Sequence, residues 1–344
     1  MLTVVSVGVV SAVVTIAASV IYFDSLGDIA LKREISAGGG ANHDIVISGR
    51  ETDVDAASNQ ELLGLVESAV DEIASSVATD MTLTYGSPTL LVEPPENADP
   101  DPEAVVPETD GSWRAVLVNA PDLQVNSLLT EGDWPSSEVG EGELGQLLID
   151  VALEETAAQA YGVAVGDVVD VSPFWDDVND SIAVRISGTF AQGQQDPEFW
   201  TELDSQFGFD DTDLNFLPFV PEPGVFESQV GPYLPGMTVR YFWRFHVDSS
   251  KVKASGANKL LLGFDELKAQ LQPKIDSYSQ NIPLQDVLAR NQQQTFFSRL
   301  PMTVVFSVIA VVVLYFVGTM SILMVETQTS DIARLRTRAA TVRQ

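Results

Sequence analysis

Leu300–Val325 reads LPMTVVFSVIAVVVLYFVGTMSILMV, 26 residues without a charge. A helix needs ~20 apolar residues to cross a bilayer, so this run is long enough for a transmembrane helix. It is followed by ETQTSDIARLRTRAATVRQ, which carries Arg334, Arg336, Arg338 and Arg343. Basic residues close behind a span stay on the cytoplasmic side, which puts this tail inside the cell and the chain ahead of the span outside.

The chain has 344 residues, with 18 Lys+Arg against 49 Asp+Glu and a net charge of −31. The tail takes four arginines, Glu326 and Asp331, leaving 14 basic and 47 acidic groups in residues 24–299, a net of −33. Nucleic acid is excluded as a partner of this block, because phosphate binding needs clustered Lys and Arg. A field of this sign also repels anionic lipid. With no cysteine in the chain, disulfides, thiolate metal sites and cysteine nucleophiles are excluded together. A block of this size is stabilised by its core instead.

Leu2–Phe23 is a second uncharged run. It is longer than the apolar region of a signal peptide, lacks a basic lead-in, and ends on Tyr22 and Phe23 rather than a small-residue cleavage site, so it reads as a membrane anchor. Gly8, Ala12, Thr15 and Ser19 fall on one face and form a candidate helix-packing stripe. The alternative is that small residues are simply frequent in this run. Basic residues are missing ahead of it and Lys32 and Arg33 follow it, which reads as a chain whose natural start lies upstream of Met1.

After Gly38–Gly40, residues 43–50 (HDIVISGR) alternate as a strand. Ser58 and Glu61 form a capping box ahead of a stripe through Leu62, Leu65, Val66, Ala69, Val70, Ile73 and Val77. Met81–Glu93 and Ser112–Ala120 have strand character, with an acidic, proline-rich surface loop, 93–110, between them. Gln146–Tyr161 passes from strand to helix, and Gly162–Ser172 and Ser181–Phe190 add strands. Residues 193–235 read as long loops with short elements. Thr238–Val247 (TVRYFWRFHV) is a strand by its aromatic and β-branched content. Leu261–Gln280 and Leu284–Gln294 read as helices, the second running into the last span.

Phosphate-cradling and hydrolase motifs are missing from the sequence. His43 and His246, the two histidines, sit in strand-like runs and read as surface residues. The acid pairs Asp176/Asp177 and Asp210/Asp211 read as solvated turns. Asp211, Asp213, Asn215 and Glu222 match positions 1, 3, 5 and 12 of a calcium loop, but Phe216 stands where that loop needs glycine. Asn179-Asp180-Ser181 is formally a glycosylation acceptor and equally a turn. The expectation is a chain without catalytic residues, metal ligands or cofactor.

The order of parts resembles the first half of an FtsX/MacB-type ABC transporter permease. Tyr22–Ser36 (YFDSLGDIALKREIS) is similar to that family's exit from its first span, and Asp44–Arg50 (DIVISGR) to its first outer strand. Leu129–Pro135 (LTEGDWP) is similar to its L-x-E-G-R-W-P turn, with Asp133 in place of the basic residue. Asp150–Val171 (DVALEETAAQAYGVAVGDVVDV) and Asp331–Gln344 (DIARLRTRAATVRQ) resemble further family elements, Ala339 replacing a usual glycine. The resemblance implies a MacB-like outer domain, a separate ATPase on which the segment after the second span docks, and further transmembrane helices beyond this piece of the permease.

Read as a helix, residues 331–344 place Ile332, Leu335 and Ala339 on one face and Arg334 and Arg338 on another. Ile332, Arg334, Leu335, Arg336 and Arg338 are therefore the candidate partner-binding residues, with lipid headgroups as the competing destination.

The expected fold class is α+β, with two transmembrane helices (1–23 and 300–325) flanking a large mixed α/β extracellular domain (24–299), and a truncated coupling segment (326–344). The expected function is a non-enzymatic permease-type subunit in the cell membrane, coupling a separate ABC ATPase to export, lipoprotein release or mechanotransmission. The alternatives are a two-span sensor with an outer sensing domain and an anchored extracellular enzyme.

Overall fold

The computed structural model describes residues 14, 25–35, 43–102, 104, 105, 107, 108, 110–175, 181–194, 197–207 and 216–341, the side chains of 198, 202, 205, 294–303, 306, 324 and 327–341 excepted. The chain divides into two compact units.

The first unit comprises residues 1–42, 248–262 and 283–344. Helical residues 25–35 (α1) bury Leu31 and Ile35, one turn apart. Asp28 Oδ1 accepts the Ala254 backbone N–H at 2.8 Å, and the Asn291 amide reaches Glu34 at 3.5 Å. Asn291 belongs to α8, one unbroken helix over Pro283–Thr341. Its first turns bury Leu284, Val287 and Leu288.

The sequence expectation of two transmembrane helices around the domain is corrected here. The first run, Leu2–Phe23, lies outside the described residues apart from Val14. Among the described residues, no helix is long and apolar enough to cross a membrane. Leu300–Val325 is not an element of its own; it is the middle of α8, continuous with polar turns at Gln292–Gln294 and from Glu326 onward. An absence of charge is a weaker condition than a helix apolar along the whole length that a bilayer requires.

The second unit holds residues 43–247 and 263–282. Its strands are β1 (Ile45–Thr52), β2 (Ala78–Gly86), β3 (Leu90–Glu93), β4 (Trp113–Asn119), β5 (Ser127–Gly132), β6 (Gly140–Glu141), β7 (Leu147–Glu154), β8 (Val168–Pro173), β9 (Ile182–Gln192), β10 (Leu217–Pro221), β11 (Thr238–Val247) and β12 (Asp276–Asn281). The order β10-β7-β9-β8-β3-β4 closes through a parallel β4/β10 pairing, making a six-strand barrel. The class is therefore mixed α/β rather than α+β, since β7 and β9 also run parallel.

The ladder register explains the barrel core. Leu217 and Leu90 both oppose Ala115, Phe219 opposes Leu117, and Val184 opposes both Ile149 and Val169. All are buried, because residues level with one another across a ladder share a face. The next position along β7 and β9 points outward, where Arg185 meets Asp150 at 2.7 Å. Helix α4 (Glu155–Tyr161) contributes Tyr161, whose ring meets Trp113 edge-on at 5.1 Å. Burial pushes the Tyr161 phenol up to about 12.

Strand β4 also pairs β2, which joins the barrel to the antiparallel sheet β2-β11-β1-β12. Ile45, Ile47, Tyr85, Val239, Tyr241, Trp243 and Phe245 are among its buried residues. Helix α2 (Ala56–Ala74) buries Leu62, Val66, Ala69 and Val70. Its cap is Asp55 with Ser58, not Ser58 with Glu61: Asp55 Oδ1 accepts Ala57 and Ser58 N–H at 2.9 and 2.7 Å, and the Ser58 hydroxyl accepts the Asp55 N–H. The helix starts earlier because Asp55 supplies the acceptor first. Helix α7 (Ala257–Leu271) passes into this unit at Gly263, which lies against Ile73 of α2. The helix expected over Leu261–Gln280 ends at Leu271, and DSYSQN forms β12 on the edge of β1.

Helix α5 (Pro197–Phe207) lies in the stretch expected to hold long loops with short elements. Its Phe199, Trp200, Leu203 and Phe207 join Val116, Val118, Ala152, Phe190 and Val220 in a second core on the outer surface of the barrel.

Candidate functional site

The residues singled out from the sequence fall in three places. Gly8, Ala12, Thr15 and Ser19 lie outside the described residues. So do Asp176/Asp177, Asp210/Asp211, Asn179-Asp180, and Asp211, Asp213 and Asn215 of the calcium-like pattern. Ile332, Arg334, Leu335, Arg336 and Arg338 are helical in backbone, all within α8, and their side chains are outside the described set. Among the described residues, no group of three or more His, Asp or Glu side chains is placed to hold a metal ion.

The structure assembles two polar clusters and one cleft that the sequence reading did not single out. The first joins the start of β1 to the end of β11. Asp44 is buried; its Oδ2 faces His246 Nδ1 at 3.0 Å and its Oδ1 accepts the Val247 N–H at 2.9 Å. Arg244 Nε stands 3.9 Å from the same carboxylate. The bond to Asp44 raises the His246 pKa, against a smaller opposing effect of burial. His246 is thus half-buried and paired, not simply a strand-surface residue.

The second cluster lies on the aromatic face of β11. The Tyr85 hydroxyl donates to Glu227 Oε2 at 2.5 Å. Tyr85 packs on Phe226 and Tyr241 at 5.3 and 5.1 Å, and Tyr241 stacks on Trp243 at 5.3 Å. Burial, followed by the neighbouring Glu227 charge, drives the Tyr85 and Tyr241 phenols far above their ordinary value. Both phenols are thereby held neutral, Tyr85 as a donor to the Glu227 carboxylate.

A small, shallow cleft, open to solvent and with room for about one water molecule, lies beside the second core. Pro121, Leu123, Trp134, Pro221 and Ala152 form apolar walls, and Gln124 and Glu222 supply polar edges. Helix α3 (Leu123–Asn126), the turn after β5 and the end of β10 bring these residues together. Trp134 stacks on Phe190 at 6.1 Å, and the Gln124 amide donates to Glu222 Oε2 at 3.3 Å. The turn Glu131-Gly132-Asp133-Trp134-Pro135 holds the tryptophan because Gly132 sits at φ +73° with its Cα against the Ser187 carbonyl, where a Cβ would come within 2.3 Å. A positive φ at such a close approach requires glycine. The sequence signals for this site were the LTEGDWP stretch itself and Glu222, the last residue of the calcium-like pattern.

No protein-family model matches the chain, and no curated protein does. A solved structure described as "a domain of a putative Permease protein" from Porphyromonas gingivalis is 10% identical, covers 70% of this chain and 88% of its own, and superposes with a TM-score of 0.28.

Proposed function

We propose that the chain is a non-catalytic subunit of an ABC system of the FtsX/MacB class, working at the cell membrane with residues 24–299 outside. A separate ATPase docks on the segment Ile332–Arg338, and nucleotide-driven movement there is passed along α8. The observation that carries this reading is α8, which runs without a break from Pro283 through the arginine-bearing segment. At 1.5 Å per residue its 59 residues extend about 88 Å. A continuous helix transmits displacement of one end to the other. Its Leu284, Val287 and Leu288 are buried in the first unit, which anchors the receiving end. The motif order from DIVISGR to DIARLRTRAATVRQ supports the family. Exposed apolar side chains along α8, among them Leu314, Tyr315 and Phe316, support the lipid bilayer and further permease helices as partners.

The test is co-expression of the full gene with the ATPase encoded beside it. The double substitution Ile332→Asp, Leu335→Asp is expected to abolish co-purification while leaving the outer unit folded. Undiminished association overturns the docking assignment.

A further inference from the structure

We infer that the edge of β5 and the adjoining Trp134–Glu222 cleft bind an extended polypeptide segment in which apolar side chains alternate with lysine or arginine. This surface belongs to the outer unit and does not depend on how α8 docks.

Backbone pairing comes first. Among the described residues β5 pairs with β9 alone, and Leu128–Gly132 are exposed. A strand with one open edge offers a row of N–H and C=O groups to another chain. Protein edges are commonly blunted by lysine or proline, and β5 (SLLTEG) has neither. A register break between Leu129 and Glu131 confines a regular added ladder to the Ser127–Leu129 end. That end follows α3 directly, so it adjoins the cleft walls Leu123 and Gln124.

Side-chain chemistry selects the occupant. Val125 and Leu128 are 71% and 66% exposed beside this edge, and offer contact to apolar side chains. The cleft walls are largely proline and tryptophan, rigid groups that lose little freedom on binding. Charge gives the rest: residues 115–239 contain 23 acidic residues and one basic residue, Arg185, which is paired with Asp150. Glu222 at the cleft edge lies in this acidic stretch, whose field favours a positively charged partner. Alternation with apolar residues follows from the period of a strand.

The test uses the full chain in detergent and a fluorescein-labelled peptide alternating leucine with lysine, read by anisotropy near physiological salt. Saturable binding is expected, with Glu222→Gln weakening it about fivefold, as for a partly exposed ion pair. Trp134→Ala is expected to weaken it more than tenfold, as for an aromatic anchor. Glu222→Gln keeps the test decisive should Trp134→Ala misfold. An N-methylated version of the peptide, unable to pair along an edge, is expected not to bind. Equal binding of a leucine–glutamate peptide, of oligolysine of the same charge, or of the N-methylated peptide overturns the inference, as does an unchanged affinity in Glu222→Gln.

Discussion

Asp44 Oδ2 lies 3.0 Å from His246 Nδ1, joining residues 202 positions apart at one end of the β1/β11 ladder. Asp44 raises the His246 pKa, so the charged imidazole is favoured in the folded state. A group whose folded pKa exceeds its unfolded one contributes its full stability below the unfolded value, ~6.5 for histidine, and loses it as pH rises through the folded value. Asp44→Asn is expected to lower the midpoint of the His246 ring-proton NMR titration. The wild-type advantage in urea unfolding is expected to narrow as pH rises from the unfolded value, ~6.5, through the raised folded one. A midpoint unmoved by the substitution sinks the assignment.

Gly132 and Gly166 separate backbone strain from collision. Both have positive φ, +73° and +95°, but only Gly132 has a neighbour where a Cβ would go. Gly166→Ala is expected to cost about 1–2 kcal/mol. Gly132→Ala is expected to cost a further 1–3 kcal/mol, roughly, for overpacking against Ser187. Urea midpoints of the two variants, compared at equal slope, give the difference directly; equal midpoints would contradict the close approach.

Phe219 tests barrel closure. It is fully buried on β10, the strand that pairs both β4 and β7. Phe219→Ala is expected to cost about 3–5 kcal/mol. Phe174→Ala, at a position 61% exposed, is expected to stay within about 0.5 kcal/mol. Thermal unfolding of the pair is the measurement.

Tyr85→Phe removes the hydroxyl that donates to Glu227 and leaves the ring packing intact. A partly buried carboxylate without its donor is expected to cost about 1–3 kcal/mol. Adding Glu227→Gln is expected to cost less than the sum of the two single changes, because both act on one bond. Strict additivity in chemical denaturation would show that the bond contributes nothing.

Where burial alternates locally, the sequence was readable. Thr238–Val247 was expected as a strand and is β11, and β1, β4, β8 and β9 fall within a few residues of their expected stretches. Where burial comes from distant partners, it was not. LPFVP, with two prolines, is strand β10 because its five buried residues fill the gap between β4 and β7. DSYSQN is a strand because β1 offers it an edge. Helix α5 was hidden in an acidic stretch whose apolar residues meet the outside of a barrel. Of the site, the LTEGDWP stretch and Glu222, the last residue of the calcium-like pattern, were visible, and their meeting in one cleft was not.

The sequence by itself determined the charge asymmetry, the strand and helix periodicities of the second unit, and the arginine-bearing face of residues 331–344, since each is a property of residue types at fixed spacing. The tertiary structure decided the closure of the barrel, the pairing of β5 with β9 alone among the described strands, and the pairing of Asp44 with His246. Spacing along the chain encodes which side of an element is buried; which element buries it depends on complementarity between segments up to 200 residues apart, and that appears only when the chain is folded.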